Sequence, residues 1–205
     1  MYLVIYRKPI LAGLIILVAF LWSTIVYAHR PLWDEGAGKE FSNPIKIDHV
    51  DVSQVVYREV TPQEPRLWLT FEAREGEELY LQLGVPVIER LKNFRPVVAL
   101  LGPAMAPVNL SFEIPPGMGG RIFEAENGQE PKIFHEPFTG TDSWVLIETR
   151  LKATAAGRYF IVAYPPSGGT GKLWIAVGER EQFGFSDLFR FPGWRSKTRA
   201  FHEVK

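Results

Sequence analysis

The chain has 205 residues, with 23 Lys or Arg against 23 Asp or Glu, so its formal net charge is zero. A balanced charge provides no overall field that would attract nucleic acid, and we expect no nucleic-acid partner. The chain has no cysteine, which excludes thiolate-ligated zinc, covalent haem attachment and thiol redox chemistry. Packing alone therefore has to hold the fold together.

An apolar N-terminal segment, residues 1–28, predicts export. Arg7 and Lys8 precede an uncharged run that ends at Ala28 in compact side chains, the layout of an export signal. As a helix, a run of roughly 20 residues would also cross about 30 Å of hydrocarbon. Cleavage would leave His29 as the mature N-terminus, whereas retention would leave a single membrane anchor. Both alternatives place the remaining chain outside the cytoplasm, in the periplasm or at the cell surface.

The next segment, residues 29–43, is polar and contains Gly, and we predict an extended linker without a regular element. From residue 44 to residue 181, short segments alternate apolar and polar residues between turn signals, the pattern of an all-β sandwich or barrel. We predict an antiparallel β-sandwich of the jelly-roll kind, with an N-terminal apolar helix and a short helical C-terminal tail. The main predicted strands are 66–73, 79–83, 96–101, 143–151, 158–164 and 172–178.

Three features of this predicted sandwich are specific. The segments 66–73 and 79–83 flank a Glu/Gly turn and predict a hairpin. The run 96–101 is continuously apolar, which indicates a central strand buried on both faces. Residues 102–120 are dense in Pro and Gly and predict a long surface loop, with at most a short strand near residues 110–114.

One part of the chain resembles a known type of domain. Ala156 and Gly157 form a turn that leads through Arg158 to Tyr159, a Gly-rich turn follows at 167–171, and a strand ends at 177–178 in Val-Gly. This pattern resembles the closing hairpin of the bacterial pre-peptidase C-terminal type of secreted β-sandwich, and the turn at 75–77 also fits it. The Pro/Gly-rich loop and the C-terminal tail are outside the pattern. The resemblance implies a non-catalytic accessory sandwich, commonly attached to secreted enzymes or surface proteins.

Two carboxylates and a Trp surround a predicted loop. Glu136 and Asp142 flank residues 137–141, and Trp144 follows in a predicted strand. Carboxylates beside an exposed aromatic ring suit a carbohydrate or small-ligand site. The chain lacks a Gly-x-Ser-x-Gly nucleophile elbow and the alternating carboxylates of a calcium loop. We therefore predict no enzyme, no catalytic residue and no cofactor.

Copper is a further alternative that depends on leader cleavage. The free amino group and the imidazole of a first-position His29 would form a nitrogen chelate, which copper favours. Such a site needs a second His, and the candidates are His49, His135 and His202. None of them occurs at a metal-ligand spacing. If the leader is retained, the chelate cannot form.

The C-terminal segment, residues 182–205, is rich in aromatic and basic side chains. We predict a short helix capped by Ser186, a break at Pro192 and Gly193, and a second helix from Trp194. Such a cluster suits a membrane interface, the groove of a partner protein, or a cover over the open end of the sandwich itself. The candidate contact residues are Phe183, Phe185, Phe189, Phe191, Trp194, Arg195 and Arg199.

These observations favour a non-enzymatic interaction or accessory module held at or near a membrane. Its partner would be a membrane surface or a membrane protein. Carbohydrate or small-ligand binding is the first alternative, and copper handling through His29 is the second. The sequence does not identify a ligand.

Overall fold

The computed structural model describes residues 29–33, 36–125, 130–184, 187 and 189–204. The predicted export segment, residues 1–28, and the N-terminal helix expected there lie outside the described residues. Across the described ranges, no helix is long and apolar enough to cross a membrane.

The all-β prediction is confirmed, because the described residues form two facing sheets and one C-terminal helix. The six-stranded sheet has the order β1 (Arg30–Leu32), β3 (Gln54–Val60), β11 (Gly171–Val177), β5 (Glu78–Pro86), β9 (Thr141–Lys152) and β8 (Lys132–Glu136). The five-stranded sheet has the order β2 (Ile45–Lys46), β4 (Leu67–Ala73), β10 (Gly157–Tyr164), β6 (Val97–Gly102) and β7 (Gly119–Phe123). A 3-10 turn lies at Glu89–Leu91.

The segment 29–43 is not an element-free linker as predicted. Arg30–Leu32 is a strand that pairs in parallel with β3 at the edge of its sheet. At the corresponding edge of the other sheet, β2 pairs in parallel with β4. The remaining strand pairs are antiparallel. The backbone groups of an edge strand can pair with an added segment whatever side chains that segment carries. The three residues of β1 do not alternate apolar and polar side chains, so the sequence pattern did not predict a strand there.

Two predicted hairpins are wrong. β4 and β5 follow one another in the chain but belong to opposite sheets, and the same is true of β10 and β11. In both cases the connection arches across the core, so that the apolar faces of the two strands oppose each other. Leu69 of β4 and Leu83 of β5 are both fully buried in the central cluster between the sheets. Alternation reports the buried face of a strand and not its hydrogen-bonded neighbour.

Tyr159 anchors the arch that leads into β10. Its hydroxyl donates to the Ala155 carbonyl at 2.8 Å and accepts from the Ala155 N–H at 3.1 Å. Its ring stacks on Phe71 at 5.6 Å between centroids and is fully buried. Gly102 is required beside it, because a Cβ there would lie 2.2 Å from the Tyr159 ring. The Ala-Gly-x-Tyr pattern is therefore a turn that its own tyrosine stabilises by hydrogen bonds to the Ala155 backbone.

Both sheets are apolar on their outer faces as well. On the five-stranded sheet, Trp68, Leu101 and Phe160 face outward and are covered by apolar side chains of the 103–118 loop, among them Phe112. Strand β6 is buried throughout, as predicted for a strand covered on both faces. The predicted surface loop is thus a cover for this sheet, and residues 103–118 contain no strand. The two ends of the predicted loop belong to β6 and β7.

On the six-stranded sheet, Val55, Val145, Trp174 and Ala176 form the outer apolar cluster. It is covered by helix α1, which spans Phe191–Phe201. The predicted break at Pro192 and Gly193 is wrong, because Pro192 lies in the first helical turn, where its missing N–H costs no hydrogen bond. The predicted cap, Ser186, lies outside the described residues.

Replacement of Tyr159 by Phe tests the turn that this tyrosine stabilises. The variant keeps the stacked ring but leaves the Ala155 groups without their partner, so we expect a loss of roughly 1–3 kcal/mol in the free energy of unfolding. Urea denaturation followed by Trp fluorescence measures this loss. The control is Tyr164→Phe, a half-buried ring in the same strand, for which we expect a change within about 0.5 kcal/mol. Equal effects of the two variants would contradict the role given to the Tyr159 hydroxyl.

Candidate functional site

A cavity of about 360 Å³ lies between the outer face of the six-stranded sheet and the C-terminal segment that covers it. The sheet supplies its floor and α1 with the preceding residues supplies its roof. Aromatic rings form most of its walls, and a few polar side chains project among them. The lining residues that carry the argument are His29, Tyr57, Glu136, Trp174, Glu181 and His202.

The Trp174 indole forms part of the floor and is held by backbone geometry. Trp174 pairs across β11 and β5 with Gly84, and a Cβ on Gly84 would lie 2.1 Å from the indole ring. The absence of a side chain at Gly84 therefore lets the indole lie against the strand. The indole N–H donates to the Ser143 hydroxyl at 3.0 Å.

A buried hydrogen-bond chain continues from Ser143 to α1. His202 Nδ1 lies 2.8 Å from the Thr198 carbonyl, an acceptor, so Nδ1 carries the proton. Nε2 is then an acceptor and receives the Ser143 hydroxyl proton at 3.0 Å. Burial lowers the pKa of His202, which agrees with a neutral ring. The chain thus joins β11, β9 and the end of α1 through neutral groups.

Tyr57 of β3 supports the middle of the helix. It hydrogen-bonds with the Thr198 side chain, and burial strongly raises the pKa of its hydroxyl. Its ring contacts Phe201 at 5.1 Å and stacks on Trp33 at 5.0 Å. Trp194 and Thr198 line the cavity one turn apart, so this face of the helix packs on the sheet.

Charged groups hold the C-terminal end of α1. Lys172 Nζ donates to the Phe201 carbonyl at 2.9 Å and lies 2.7 Å from a Glu203 oxygen. Arg90 also pairs with Glu203, at 2.6 Å. The hydrogen bonds from Arg90 and Lys172 lower the pKa of Glu203 to about 2. A cation at a helix C-terminus complements the helix dipole, so Lys172 stabilises α1 as well as its docking.

Two carboxylates line the cavity in different states. Glu136 accepts the backbone N–H groups of Phe138 at 3.0 Å and Thr139 at 2.7 Å, which closes the turn between β8 and β9. Glu181 has one oxygen, Oε1, that is buried and has no hydrogen-bond partner among the described residues. A buried acceptor without a partner costs about 1–3 kcal/mol. Among the described residues of the wall, Glu181 therefore has a buried oxygen without a hydrogen-bond donor.

His29 reaches the cavity beside β1. Its Nδ1 lies 2.6 Å from the Ser53 hydroxyl, and burial lowers its pKa while the charge of Glu136 opposes that shift. His202 lines the same cavity, with both ring nitrogens bonded as described. In the described ranges, no group of three or more His, Cys, Asp or Glu side chains is arranged to hold a metal.

Of the three residues predicted for ligand binding, Glu136 lines the cavity. Asp142 and Trp144 do not, because Thr141 and Ser143 of the same strand face the cavity and alternate side chains face opposite ways. Asp142 instead pairs with His135 at 2.7 Å in an exposed position. The predicted residues are therefore close in sequence but lie on opposite faces of the sheet, with Glu136 at the end of β8 and Asp142 and Trp144 in β9.

The aromatic tail and the predicted ligand loop meet at this cavity. Phe183, Phe191 and Trp194 line it, and Phe191 contacts Phe138 of the loop at 5.3 Å. Arg195 and Arg199 donate to the carbonyls of Phe138 and Thr139, so both of these basic side chains hold the loop. Phe189 is 77% exposed, and Phe185 lies outside the described residues.

Sequence reasoning missed Tyr57, Ser143, Trp174 and His202 as cavity residues. One signal was present, since strand 172–178 carries apolar residues on both of its faces. A strand of that kind requires a cover on each side. The Ser143–His202 contact spans 59 positions, and no local pattern marks it.

The Ser143–His202 pair has the atoms of a nucleophile and a base, but its surroundings differ from those of a catalytic pair. An activated serine is poised by a base that a third group orients, and the Thr198 carbonyl orients His202 in this way. The Ser143 oxygen, however, also accepts the Trp174 N–H, which withdraws electron density from it. The residue itself is 4% exposed. The geometry favours a structural link between the sheet and the helix.

The buried His202 predicts that docking of α1 is sensitive to acid. Because the folded-state pKa lies below the ordinary value of about 6.5, the unfolded chain takes up the proton first as the pH falls. Stability is therefore fully present above about pH 6.5 and is lost below it. His29 contributes in the same direction.

We expect the urea midpoint to fall between pH 7.5 and pH 5.5, and to fall less in His202→Gln than in the wild type. The matched control is His49→Gln, which changes an exposed imidazole and should retain the wild-type pH dependence. The same pH dependence in His202→Gln and the wild type would contradict the assignment.

No protein-family model and no curated protein matches the chain. Among solved structures, the chain is similar to the pre-peptidase C-terminal domain of a collagenase from Bacillus anthracis. The sequence identity is 8%, the TM-score is 0.36, and the match covers 65% of this chain and 92% of that domain. This is the same type of domain as the one that residues 156–178 resemble. At this level of identity the likeness concerns the fold alone.

Proposed function

We propose that the protein is a non-enzymatic, extracytoplasmic binding protein that holds a small, largely apolar ligand under helix α1. The observation that carries the proposal is the cavity of about 360 Å³ with its aromatic walls. Small-molecule sites typically have volumes of about 300–1,000 Å³, apolar walls and a few convergent polar groups. The cavity fits this description.

The side chains that line a cavity of this size have fewer packing contacts than a close-packed interior provides. Interiors are close-packed, and the atoms that line a void lose their contacts on one side. A single water molecule accounts for roughly 30 Å³ of liquid volume and needs two to four polar partners, which the aromatic parts of the wall do not offer. A ligand with an apolar body would restore the contacts and bury the rings that remain partly exposed, such as Phe183.

Among the predicted ligand classes, the contacts favour a small apolar molecule over a carbohydrate. A sugar presents many hydroxyl groups that require partners when they are buried. The carboxylate of Glu136 already accepts hydrogen bonds within the turn, and the Ser143 hydroxyl is already hydrogen-bonded to Trp174 and His202. Trp144, the predicted sugar platform, lies on the other face of its strand.

Membrane association remains a second proposal, supported by a different observation. Phe189 is 77% exposed and Phe183 is 37% exposed, and both precede the roof helix of the cavity. Exposed rings of this kind suit the headgroup region of a bilayer. With an export signal or anchor at residues 1–28, the tail would contact the outer surface of the membrane and present the cavity to small amphiphiles there.

Filling the cavity should abolish binding. Val55 lies in the floor and is 3% exposed, so Val55→Phe places a ring in the space proposed for the ligand. We expect the neutral dye N-phenyl-1-naphthylamine to bind the wild type with enhanced fluorescence, and to bind Val55→Phe at least about tenfold more weakly, which is about 1.4 kcal/mol.

The matched control is Ile133→Phe, which adds a ring at a position that is 62% exposed. This variant should bind the dye like the wild type. If folded Val55→Phe binds the dye with the wild-type affinity, the cavity is not the binding site. Dye binding that both variants weaken equally would also count against the proposal.

A further inference from the structure

We infer that the ligand of this cavity is an organic cation, an amine whose protonated nitrogen carries N–H groups and is attached to an apolar body. The inference rests on the proposed function, since it names the class of molecule that the same cavity would bind. It follows from the charges in the wall, the unpaired carboxylate oxygen and the aromatic surface.

The charge of the wall is negative. The titratable side chains that line it are Tyr57, His29, His202, Glu136 and Glu181, and no Lys or Arg lines it among the described residues. Burial disfavours the charged forms of both imidazoles and of the Tyr57 hydroxyl. Two carboxylates therefore face an apolar space without a lining cation. Burying an ion is costly unless it is paired.

The basic residues around the cavity have other partners. Lys172 bonds to Phe201 and Glu203, and Arg30 lies 3.9 Å from Asp187. Arg195 and Arg199 donate to loop carbonyls, and Lys197 lies over the Trp33 ring at 5.6 Å. These contacts hold their charges outside the lining, so the negative charge of the wall is left for a ligand to balance.

The two carboxylates would have different roles. Both oxygens of Glu136 accept hydrogen bonds within the 136–139 turn, so Glu136 adds negative potential but little hydrogen-bonding capacity. Glu181 Oε1 is buried and unpartnered within the described residues. A protonated amine would supply both the missing donor and the opposite charge, and a charge-assisted hydrogen bond is stronger than a neutral one.

The aromatic wall adds a second source of selectivity. Phe191 contacts Phe138, Phe183 and Trp194 at 5.3, 5.7 and 5.6 Å between centroids, which makes one continuous surface. The face of an aromatic ring attracts a cation, with a contribution of about 0.5–2 kcal/mol depending on desolvation. The same face repels an anion. A carboxylate ligand would therefore meet two unfavourable features, the rings and the acidic residues.

Three probes with one skeleton separate charge from apolar contact. They are 4-phenylbutylamine, which is protonated at pH 7.5, the neutral 4-phenylbutan-1-ol and the anionic 5-phenylpentanoate. Each is titrated against the full-length protein loaded with N-phenyl-1-naphthylamine, and displacement of the dye is measured. We expect the amine to bind at least tenfold more tightly than the alcohol and the carboxylate to bind most weakly.

Glu181→Gln should abolish the preference for the amine over the alcohol, measured by the same displacement of the dye. The matched control is Glu179→Gln, which removes an exposed carboxylate that pairs with Arg150 outside the cavity, and it should keep the preference. A preference that survives in Glu181→Gln would overturn the role of Glu181. The wild-type ranking of the three probes tests the charge inference even if Glu181→Gln is unstable.

The outcomes distinguish this inference from the proposed function. If the alcohol binds as tightly as the amine, or the carboxylate binds best, the cation inference is wrong and the ligand-binding function stands. If neither the dye nor any of the three probes binds the wild type, both fail together.

Discussion

The structure depends on one constraint, which is that the six-stranded sheet is apolar on both faces and must be covered on both. Strand β11 shows it directly, because all of its residues are buried. Leu173 and Ile175 face the five-stranded sheet, whereas Trp174 and Ala176 face α1. A single helix cannot match the whole of a twisted sheet, so the cover is incomplete. The cavity is the space between the sheet and α1 where their side chains are not in contact, and aromatic residues of both surfaces line it.

The positions of the main strands and their buried faces were largely predictable from the sequence, whereas the pairing of the strands was not. The alternation of 67–73 and 158–164 identified the residues on each face, and the uninterrupted apolar run at 96–101 identified a strand buried on both sides. The same alternation cannot reveal the neighbour of a strand, so the arches after β4 and β10 were mistaken for hairpins. The parallel edge strands β1 and β2 were missed because they are held by backbone pairing and carry little apolar pattern.

The candidate site was predictable only in fragments. Glu136 and the aromatic tail were both identified, but as two unrelated surfaces, since nothing local connects residue 136 with residue 191. Tertiary contacts join them. Phe138 packs against Phe191, and Arg195 and Arg199 donate hydrogen bonds to the loop carbonyls. The groups that position α1, such as Ser143 and His202, are ordinary residues in sequence and acquire their role through one distant contact. Trp144 lies on the other side of the sheet from Glu136, and alternation does not say which side of a strand will meet a helix.

The wall of the cavity is built from segments at opposite ends of the described chain, with His29 beside β1 on one side and α1 with His202 on the other. During synthesis, the two sheets can therefore pair before the cavity exists, and the outer face of the six-stranded sheet stays open until helix α1 has been made and has docked. Occupancy of the cavity would then report that the chain has been made and folded as far as α1. A molecule that ends before α1 would keep much of its β-structure, but would lack the site and expose an apolar surface to aggregation.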